Sequence, residues 1–271
     1  MKRSGRLIAM THYLLDRPHS LVSLPYFSEK FHSAKSSISE DLAIIDEKFQ
    51  EMGIGYLETI SGARGGVKYI PKVQQTDSNE FAEWLCQRLE EQERLLPGGY
   101  LFMSDLLGKP DVVKKIGRLF ASQMEGKPVD YVMTVATKGI PLAYGVAGFL
   151  NVPVVIVRRD PKVTEGSTVS INYVSGSSRK IQTMVLPKRS LKEGANVFIV
   201  DDFMKAGGTI NGMKSLLNEF NATVAGIGVL VEAEDEDEDR VVDEYTSILK
   251  VKKVDEKNRS IEMQKGNYFD K

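Results

Sequence analysis

The segment NVFIVDDFMKAGGTING, residues 196 to 212, constrains the fold of this chain more than any other. Its apolar run predicts a fully buried strand, which ends in two adjacent carboxylates, Asp201 and Asp202. The chain then passes through a glycine-rich turn into a helix that begins near Thr209. A buried strand, a polar turn and a helix in this order are typical of an open α/β sheet, in which ligands bind just beyond the carboxyl ends of the strands.

The composition of this turn suits a phosphorylated sugar. Bare backbone N–H groups at the positive end of a helix bind phosphate, and carboxylates at the adjoining strand end accept hydrogen bonds from ribose hydroxyls. A turn capped by Asp explains a carboxylate pair or a glycine pair taken singly, but not the whole ordered string. The candidate phosphate-binding residues are Ala206, Gly207, Gly208 and Thr209.

The apolar runs around this segment indicate a parallel sheet. From Tyr100 onward, helical stretches alternate with the short apolar runs VDYVMTVA, VPVVIV, NVFIVDD and TVAGIGVLVE. Continuous apolar strands separated by helices pair in parallel and are covered on both faces. We therefore expect an α/β domain over residues 73 to 271, with a polar, linker-like stretch at residues 72 to 79.

Residues 1 to 72 show a different pattern. Apolar residues at helical spacing predict three short helices, the third within AKSSISEDLAIIDEKFQEMG. Two strand-like runs, GYLETI and GVKYI, flank SGARGG, whose glycines permit the tip of a hairpin. Three helices and a hairpin predict a winged-helix domain, which binds DNA by placing its recognition helix in the major groove.

Charge is balanced over the whole chain but not at its start. The 36 basic and 37 acidic side chains give a net charge of −1, whereas the first 35 residues hold six Lys and Arg side chains against two acidic ones. A local excess of positive charge favours a polyanionic partner such as double-stranded DNA. The candidate DNA contacts are Lys2, Arg3, Arg6, Lys35, Ser36, Ser37, Ser39 and Arg64.

Other interpretations of these residues stay open at the level of sequence. Ser37 with Glu40 fits the S-x-x-E capping box, and Ser33 is an alternative cap for the same helix. Each basic side chain is alternatively a solvated surface charge. If the domain binds a protein rather than DNA, its affinity for DNA is insensitive to salt, whereas phosphate contacts require a steep salt dependence.

The sequence also excludes some classes of protein. No apolar window reaches the length of a membrane span, and His12 and Asp16 interrupt the stretch where a signal peptide needs an apolar core. We therefore expect a cytoplasmic protein with no membrane partner. Cys86 is the single cysteine and cannot form an internal disulfide, and the acidic run EAEDEDED at residues 232 to 239 is expected to be a solvated loop rather than a metal site.

A long polar segment at residues 158 to 194 lies between two predicted strands. Segments of this kind are typically hairpins or lids. Its basic side chains suit either a pyrophosphate group or a DNA backbone, and the sequence does not choose between them. They are Arg158, Arg159, Lys162, Arg179, Lys180, Lys188 and Arg189.

The string VDDFMKAGGT resembles the motif with which type I phosphoribosyltransferases bind phosphoribosyl pyrophosphate (PRPP), and ATKGIPLA at residues 136 to 143 resembles their pyrophosphate loop. The resemblance implies that the two aspartates hold the ribose hydroxyls and that the turn holds the 5′-phosphate. Ala206 stands where those enzymes often carry Thr, so one hydroxyl contact is lost while the backbone cradle remains. The residues implied in addition are Lys205 in the turn and Thr137, Lys138 and Gly139 at the pyrophosphate.

Two aromatic residues lie near the same motifs. Phe203 follows the carboxylate pair, and Tyr100 precedes the first strand of the α/β pattern. Each is a candidate to line the position where a base would stack, and each is equally a candidate core residue.

The strings KSSISEDL, LLPGGYL, ATKGI and KVTEGSTVSINYVSGSSRKIQTMVL, in this order, make nearly the whole chain resemble the purine-operon regulators of low-GC Gram-positive bacteria. The resemblance implies a dimeric DNA-binding regulator, mostly a repressor and in some members an activator. It also implies that the phosphoribosyltransferase-like fold has lost catalysis and senses PRPP, with Mg²⁺ as an expected companion of the pyrophosphate. The guanosine nucleotide (p)ppGpp is an expected competitor, and an active purine phosphoribosyltransferase is the alternative function.

Overall fold

The computed structural model describes residues 1–62, 64–96, 100–160, 166–174, 181–233, 240–255 and 257–270. The N-terminal domain consists of α1 (Arg3–Leu15), α2 (Leu24–Phe31), α3 (Lys35–Glu51), β1 (Gly55–Ile60) and β2 (Gly66–Pro71). The two strands pair antiparallel, and an isolated antiparallel β-bridge joins Val22 to Val67 of β2. The predicted winged-helix architecture is confirmed.

Local sequence explains how these helices begin and meet. The Ser23 hydroxyl accepts a hydrogen bond from the backbone N–H of Tyr26, and Pro25 lies in the first turn of α2, where a missing N–H costs nothing. The three helices then bury one apolar cluster that includes Met10, Phe27 and Ile38. The domain therefore has its own core.

The second domain follows almost directly. It contains α4 (Gln75–Leu89), β3 (Leu95–Leu96), β4 (Tyr100–Leu101), α5 (Ser104–Leu107), α6 (Pro110–Ser122), β5 (Tyr131–Val135), α7 (Gly139–Leu150), β6 (Val154–Val157), β7 (Thr168–Val174), β8 (Ile181–Pro187), β9 (Asn196–Met204), α8 (Gly208–Asn218), β10 (Thr223–Ala233), β11 (Thr246–Asp255) and β12 (Ser260–Lys265). Only residues 72–74 separate β2 from α4, so the expectation of a linker through residue 79 is wrong. Polar residues such as Asp77 belong to the first helical turn, where a negative charge is favoured by the helix dipole.

The central sheet has the strand order β12-β11-β10-β9-β5-β6. Five of its six strands pair in parallel, namely β5, β6, β9, β10 and β11. The sixth, β12, is an antiparallel edge strand. This confirms the predicted parallel α/β sheet. The carboxyl ends of β5, β6 and β9, which are neighbours in the sheet, consequently lie at the same edge.

Both faces of the sheet are covered. In β9 the side chains alternate, so that Phe198 and Val200 join a cluster with α4, α6 and α7, while Val197 and Ile199 join a cluster with α8 and the β7–β8 hairpin. None of the helices in the described part of the chain has the length and apolar character that a membrane span requires.

Candidate functional site

The two adjacent aspartates lie near the carboxyl end of β9. The strand extends through them to Met204, because β10 continues alongside and pairs with Asp201 and Phe203 through Val229 and Val231. The expectation that the strand ends at the aspartates is therefore short by two residues. Asp201 is 7% exposed, and the backbone N–H of Asp202 donates to its Oδ1 at 3.0 Å.

Burial disfavours the charged form of both aspartates. It raises the pKa of Asp201 well above its ordinary value, and the adjacent charge of Asp202 adds to the effect. Burial also raises the pKa of Asp202, against the opposing charge of Lys138. Both shifts are toward the neutral form of the pair.

The turn after β9 is shaped by one glycine. Gly207 has φ +85° at the N-cap of α8, and a Cβ there would come within 2.9 Å of the Val242 side chain. A residue with a side chain is disfavoured both by the left-handed backbone and by this contact. The helix begins at Gly208, one residue before the predicted position, so its first N–H groups face the turn.

A second segment supports this turn from behind. The backbone N–H of Val241 donates to the carbonyl of Ala206 at 2.9 Å, and Val242 is buried. The buried carboxylate of Glu232 holds the same segment in place, because it accepts hydrogen bonds from Arg240 at 2.8 Å and from Tyr245 at 2.5 Å. Six residues of the predicted acidic loop, 234–239, lie outside the described residues.

The turn between β5 and α7 forms the other wall. Thr137 and Lys138 are exposed, and the peptide bond between Ala136 and Thr137 is cis. Gly139 is the buried first residue of α7, and a Cβ on it would meet the Oγ1 of Thr134 at 2.0 Å. Gly139 is therefore needed for the close packing of α7 on β5.

These two turns enclose a cleft of about 390 Å³ at the predicted edge of the sheet. Eleven of the twelve predicted effector residues line it. The exception is Gly139, which is buried against Thr134 of β5. Tyr100 is 59% exposed at the mouth, whereas Phe203 lines the cleft and also packs against the core. Arg159, one of the basic residues of the polar segment, also lines it. The lining residues that the sequence did not single out are Leu101, Met103, Val135, Ala136, Met204 and Ile210.

The position of Arg159 bears on the choice that the sequence left open between a pyrophosphate and a DNA backbone. Arg159 follows β6, whose carboxyl end lies beside that of β5, and its charge lowers the pKa of Asp201 against the larger effect of burial. The strand-end rule that identifies the aspartates applies equally to β6, so the signal was present in the sequence. With Lys138 and Lys205, Arg159 gives the cleft three cations facing two carboxyl groups, a combination that suits a ligand with both hydroxyls and phosphates.

The remaining basic residues of the polar segment divide into three groups. The β7–β8 hairpin confirms that the segment contains a hairpin, and it joins the sheet through a bridge between Arg158 and Val185. Lys188 and Arg189 are exposed beyond β8. Lys162, Arg179 and Lys180 lie outside the described residues.

The DNA candidates of the N-terminal domain fall into two groups. Lys2, Arg64 and the residues Lys35, Ser36 and Ser39 near the N-terminus of α3 are exposed. Ser37 is half-buried, and the N-cap of α3 is Ala34, with no side-chain cap. The capping roles considered for Ser37 and Ser33 are therefore wrong.

Arg6 does not behave as a free surface charge. It is 9% exposed, its Nε donates to Asp41 at 2.5 Å, and its Nη1 donates to the Ser33 hydroxyl at 3.0 Å. Burial by itself would raise the pKa of Asp41, but the hydrogen bonds and charges of Arg6 and Arg3 outweigh it and hold that pKa below its ordinary value. The expectation that Arg6 contacts DNA phosphates is corrected: its guanidinium ties α1 to α3.

Arg3 has a mixed position. Its Nε donates to Asp41 at 2.8 Å, yet 53% of its side chain is exposed, so it can still face a polyanion. Farther along the outer face of α3, Glu40 and Glu47 are exposed acids. The first turn of α3 is consequently the part of this helix that suits DNA phosphates.

Comparison with known proteins gives matches over both domains. Residues 2–71 match the family described as "Bacterial purine repressor, N-terminal", and residues 103–265 match "Phosphoribosyl transferase domain". The chain is 64% identical over 268 residues to the purine biosynthesis transcriptional repressor PurR of Bacillus subtilis (strain 168), covering 99% of this chain and 94% of the relative. It is 50% identical over 269 residues to the purine biosynthesis transcriptional activator PurR of Lactococcus lactis subsp. lactis (strain IL1403), covering 99% of each.

A solved structure extends the comparison to the fold. Adenine phosphoribosyltransferase from Saccharomyces cerevisiae matches with a TM-score of 0.50 and 20% sequence identity, over 57% of this chain and 89% of the enzyme.

Proposed function

The chain belongs to the PurR family of purine biosynthesis transcription regulators, a family of DNA-binding proteins, and we propose that its α/β domain is the receptor for PRPP. Binding of PRPP in the cleft weakens the affinity of the N-terminal domain for operator DNA. The observation that carries the proposal is that the β9–α8 turn and the β5–α7 turn line one cleft together with the carboxyl pair.

Each part of PRPP has a counterpart in the cleft. The backbone of Ala206 to Thr209, at the N-terminus of α8, binds the 5′-phosphate, as helix N-termini bind anions. Asp201 and Asp202 accept hydrogen bonds from the ribose hydroxyls. Thr137 and Lys138 bind the pyrophosphate, and Arg159 and Lys205 supply further positive charge.

Mg²⁺ fits this arrangement as a companion of PRPP. The described residues contain no group of three His, Cys, Asp or Glu side chains that could hold a metal ion. Mg²⁺ commonly takes one or two carboxylates together with phosphate oxygens and waters. Asp201 and Asp202 can supply the carboxylates, and Mg²⁺ would neutralise the pyrophosphate charge.

We propose that the cleft senses PRPP without transferring its phosphoribosyl group. The support is that the relatives matching the whole chain are named as regulators, whereas the enzyme match covers little more than half of it. The alternative is an active purine phosphoribosyltransferase. Incubation with PRPP, Mg²⁺ and each purine base in turn should release no pyrophosphate, and release with any base would favour the enzyme.

The N-terminal domain, we propose, contacts the operator through the N-terminal part of α3, where Lys35, Ser36 and Ser39 are exposed. Lys2 and Arg3 supply flanking phosphate contacts, and Arg64 at the hairpin tip enters a minor groove. We also propose that two copies of the chain act as a homodimer, which sedimentation equilibrium should report as twice the 30.2 kDa chain mass. A monomer at micromolar concentration would contradict the dimer.

A second ligand follows from the same chemistry. A cleft for a sugar flanked by phosphates also suits (p)ppGpp, which we propose as a competitor of PRPP. Calorimetric titration should show ppGpp binding that saturating PRPP abolishes. Simultaneous binding of both nucleotides would contradict a shared site.

The principal test is a fluorescence anisotropy titration of operator DNA with the full chain, in the presence and absence of saturating PRPP and Mg²⁺. The proposal predicts a weaker operator affinity with PRPP. An unchanged affinity, with PRPP binding verified by calorimetry, would contradict it.

A further inference from the structure

The described side-chain contacts between the two domains come from α6, α7 and the residues just after them. On the α6 side, Arg118 Nη2 donates to the carbonyl of Gly53 at 3.1 Å. The Tyr56 hydroxyl donates to Glu125 Oε1 at 2.5 Å, and Lys72 pairs with Glu125 Oε2 at 3.2 Å. Burial and this acceptor raise the pKa of Tyr56 to about 12, so the hydroxyl stays a donor at neutral pH.

On the other side, α7 runs from the cleft to the N-terminal domain. Its first residue, Gly139, directly follows Lys138 of the cleft wall. Its C-cap is Asn151, whose Nδ2 donates to the Ser20 hydroxyl of the N-terminal domain at 2.8 Å. One 12-residue helix therefore connects the proposed pyrophosphate site with the DNA-binding domain.

The two helices are packed closely enough to move together. A Cβ on Gly117 of α6 would meet the backbone of Gly145 at 2.3 Å, and a Cβ on Gly145 of α7 would meet the carbonyl of Val113 at 2.7 Å. Contact between backbones leaves no flexible side chains to absorb a displacement. A shift of α7 is consequently passed to α6.

The junction itself is loosely packed. The apolar core of the N-terminal domain is a cluster of its own, separate from those of the α/β domain. Cavities of about 600 and 480 Å³ flank residues 72–74. A junction held by a few polar contacts permits relative motion of the domains more readily than an apolar interface does.

Unsatisfied polar atoms mark both ends of this connection. In the described part of the chain, the buried side-chain nitrogen or oxygen atoms without a hydrogen-bond partner are Thr134 Oγ1 and Arg118 Nε. Thr134 lies beneath the start of α7, and Arg118 lies at the junction. Such atoms are rare in native structures, and strain is one of their recognised explanations.

We infer that the α6–α7 pair transmits occupancy of the pyrophosphate turn to the DNA-binding domain through the contacts of Arg118, Glu125 and Asn151. The inference rests on the proposed function of the cleft and specifies its regulation. PRPP stabilises one position of α7, the glycine-packed pair moves as a unit, and the contacts at its far end set the orientation of the N-terminal domain. Direct competition between PRPP and DNA for the same basic surface would require none of these contacts.

The test is a comparison of coupling factors. The coupling factor is the operator dissociation constant at saturating PRPP and Mg²⁺ divided by the constant without PRPP, both from anisotropy. The test variant combines Ser20→Ala and Tyr56→Phe, which remove one hydrogen bond at each side of the junction and touch neither the cleft nor α3. The control is Thr223→Val, which removes a side-chain hydrogen bond with Asn196 on the sheet.

We expect the coupling factor of the double variant to fall about tenfold, since two hydrogen bonds of ordinary strength are lost. Its PRPP affinity, measured by calorimetry without DNA, should stay within about twofold of wild type, and the control should retain the full coupling factor. An unchanged coupling factor in the double variant would overturn the inference and leave PRPP sensing intact. If wild-type protein fails to bind PRPP, the proposed function fails and the inference fails with it.

Discussion

In the cleft of the α/β domain, the charged residues that the sequence singles out line one cavity, whereas in the N-terminal domain they divide between surface and interior. Asp201, Asp202 and Lys138 lie where their spacing along the chain predicts. Arg6 is buried against Asp41 while Lys35 is exposed on the neighbouring helix. The difference teaches that a turn encodes its chemistry locally, whereas a basic side chain acquires its role from whatever the fold packs against it.

The largest expected effect comes from Arg6→Met. Asp41 has no exposed surface, and removal of one partner of a buried ion pair typically costs about 3 kcal/mol of the free energy of unfolding. Urea unfolding should show this loss. The matched variant Lys2→Met, at an exposed position one turn away, should leave stability unchanged and weaken operator binding, and equal stability of the two variants would contradict a structural role for Arg6.

Next in size is Gly207→Ala. The positive φ of +85° and the close contact with Val242 would distort the turn that we propose as the 5′-phosphate site. We expect about a thirtyfold loss of PRPP affinity by calorimetry, corresponding to about 2 kcal/mol of backbone strain. Gly194→Ala has a similar φ of +71° but nothing within 4 Å, so it should leave PRPP affinity unchanged, and a matching loss there would argue against a local effect.

A smaller effect is expected for Lys35→Ala. Loss of one phosphate contact should weaken operator binding about fivefold and reduce the slope of log affinity against log salt by about one. Lys48→Ala removes an exposed lysine near the other end of α3, where it pairs with Glu51, and should change neither quantity. Anisotropy at several salt concentrations distinguishes the two variants. Identical slopes of log affinity against log salt for Lys35→Ala and Lys48→Ala would mean that Lys35 does not contact the DNA.

The smallest effect concerns pH. Because the pKa of Asp201 is raised in the folded chain, the folded state binds more protons than the unfolded state, and wild-type stability falls as pH rises from the unfolded pKa toward the folded one. Asp201→Asn removes this cost, so its Tm should exceed that of wild type by roughly 2–4 °C at pH 8 and by less at pH 5. Asp243→Asn, at an exposed carboxylate, should show no such difference in Tm from wild type. A Tm difference between Asp201→Asn and wild type that narrows as pH rises would contradict the raised pKa.

How much could be predicted from the sequence differs in the same way between the cleft and the N-terminal domain. VDDFMKAGGT and ATKGI predict most of the cleft because strand, turn and helix are adjacent in the chain. Arg6 could not be assigned from sequence, because its partner Asp41 lies 35 residues away. The contacts of Asn151 with Ser20 and of Glu125 with Tyr56 depend on how two domains dock, which no local pattern encodes.

The most direct test of the account replaces both cleft carboxylates with alanine and titrates PRPP into the complex with operator DNA. With Asp201 and Asp202 gone, operator affinity by anisotropy should equal that of the wild-type chain without PRPP and should not change at any PRPP concentration. A double variant that releases the operator at the same PRPP concentration as wild type would contradict the assignment of this cleft as the effector site.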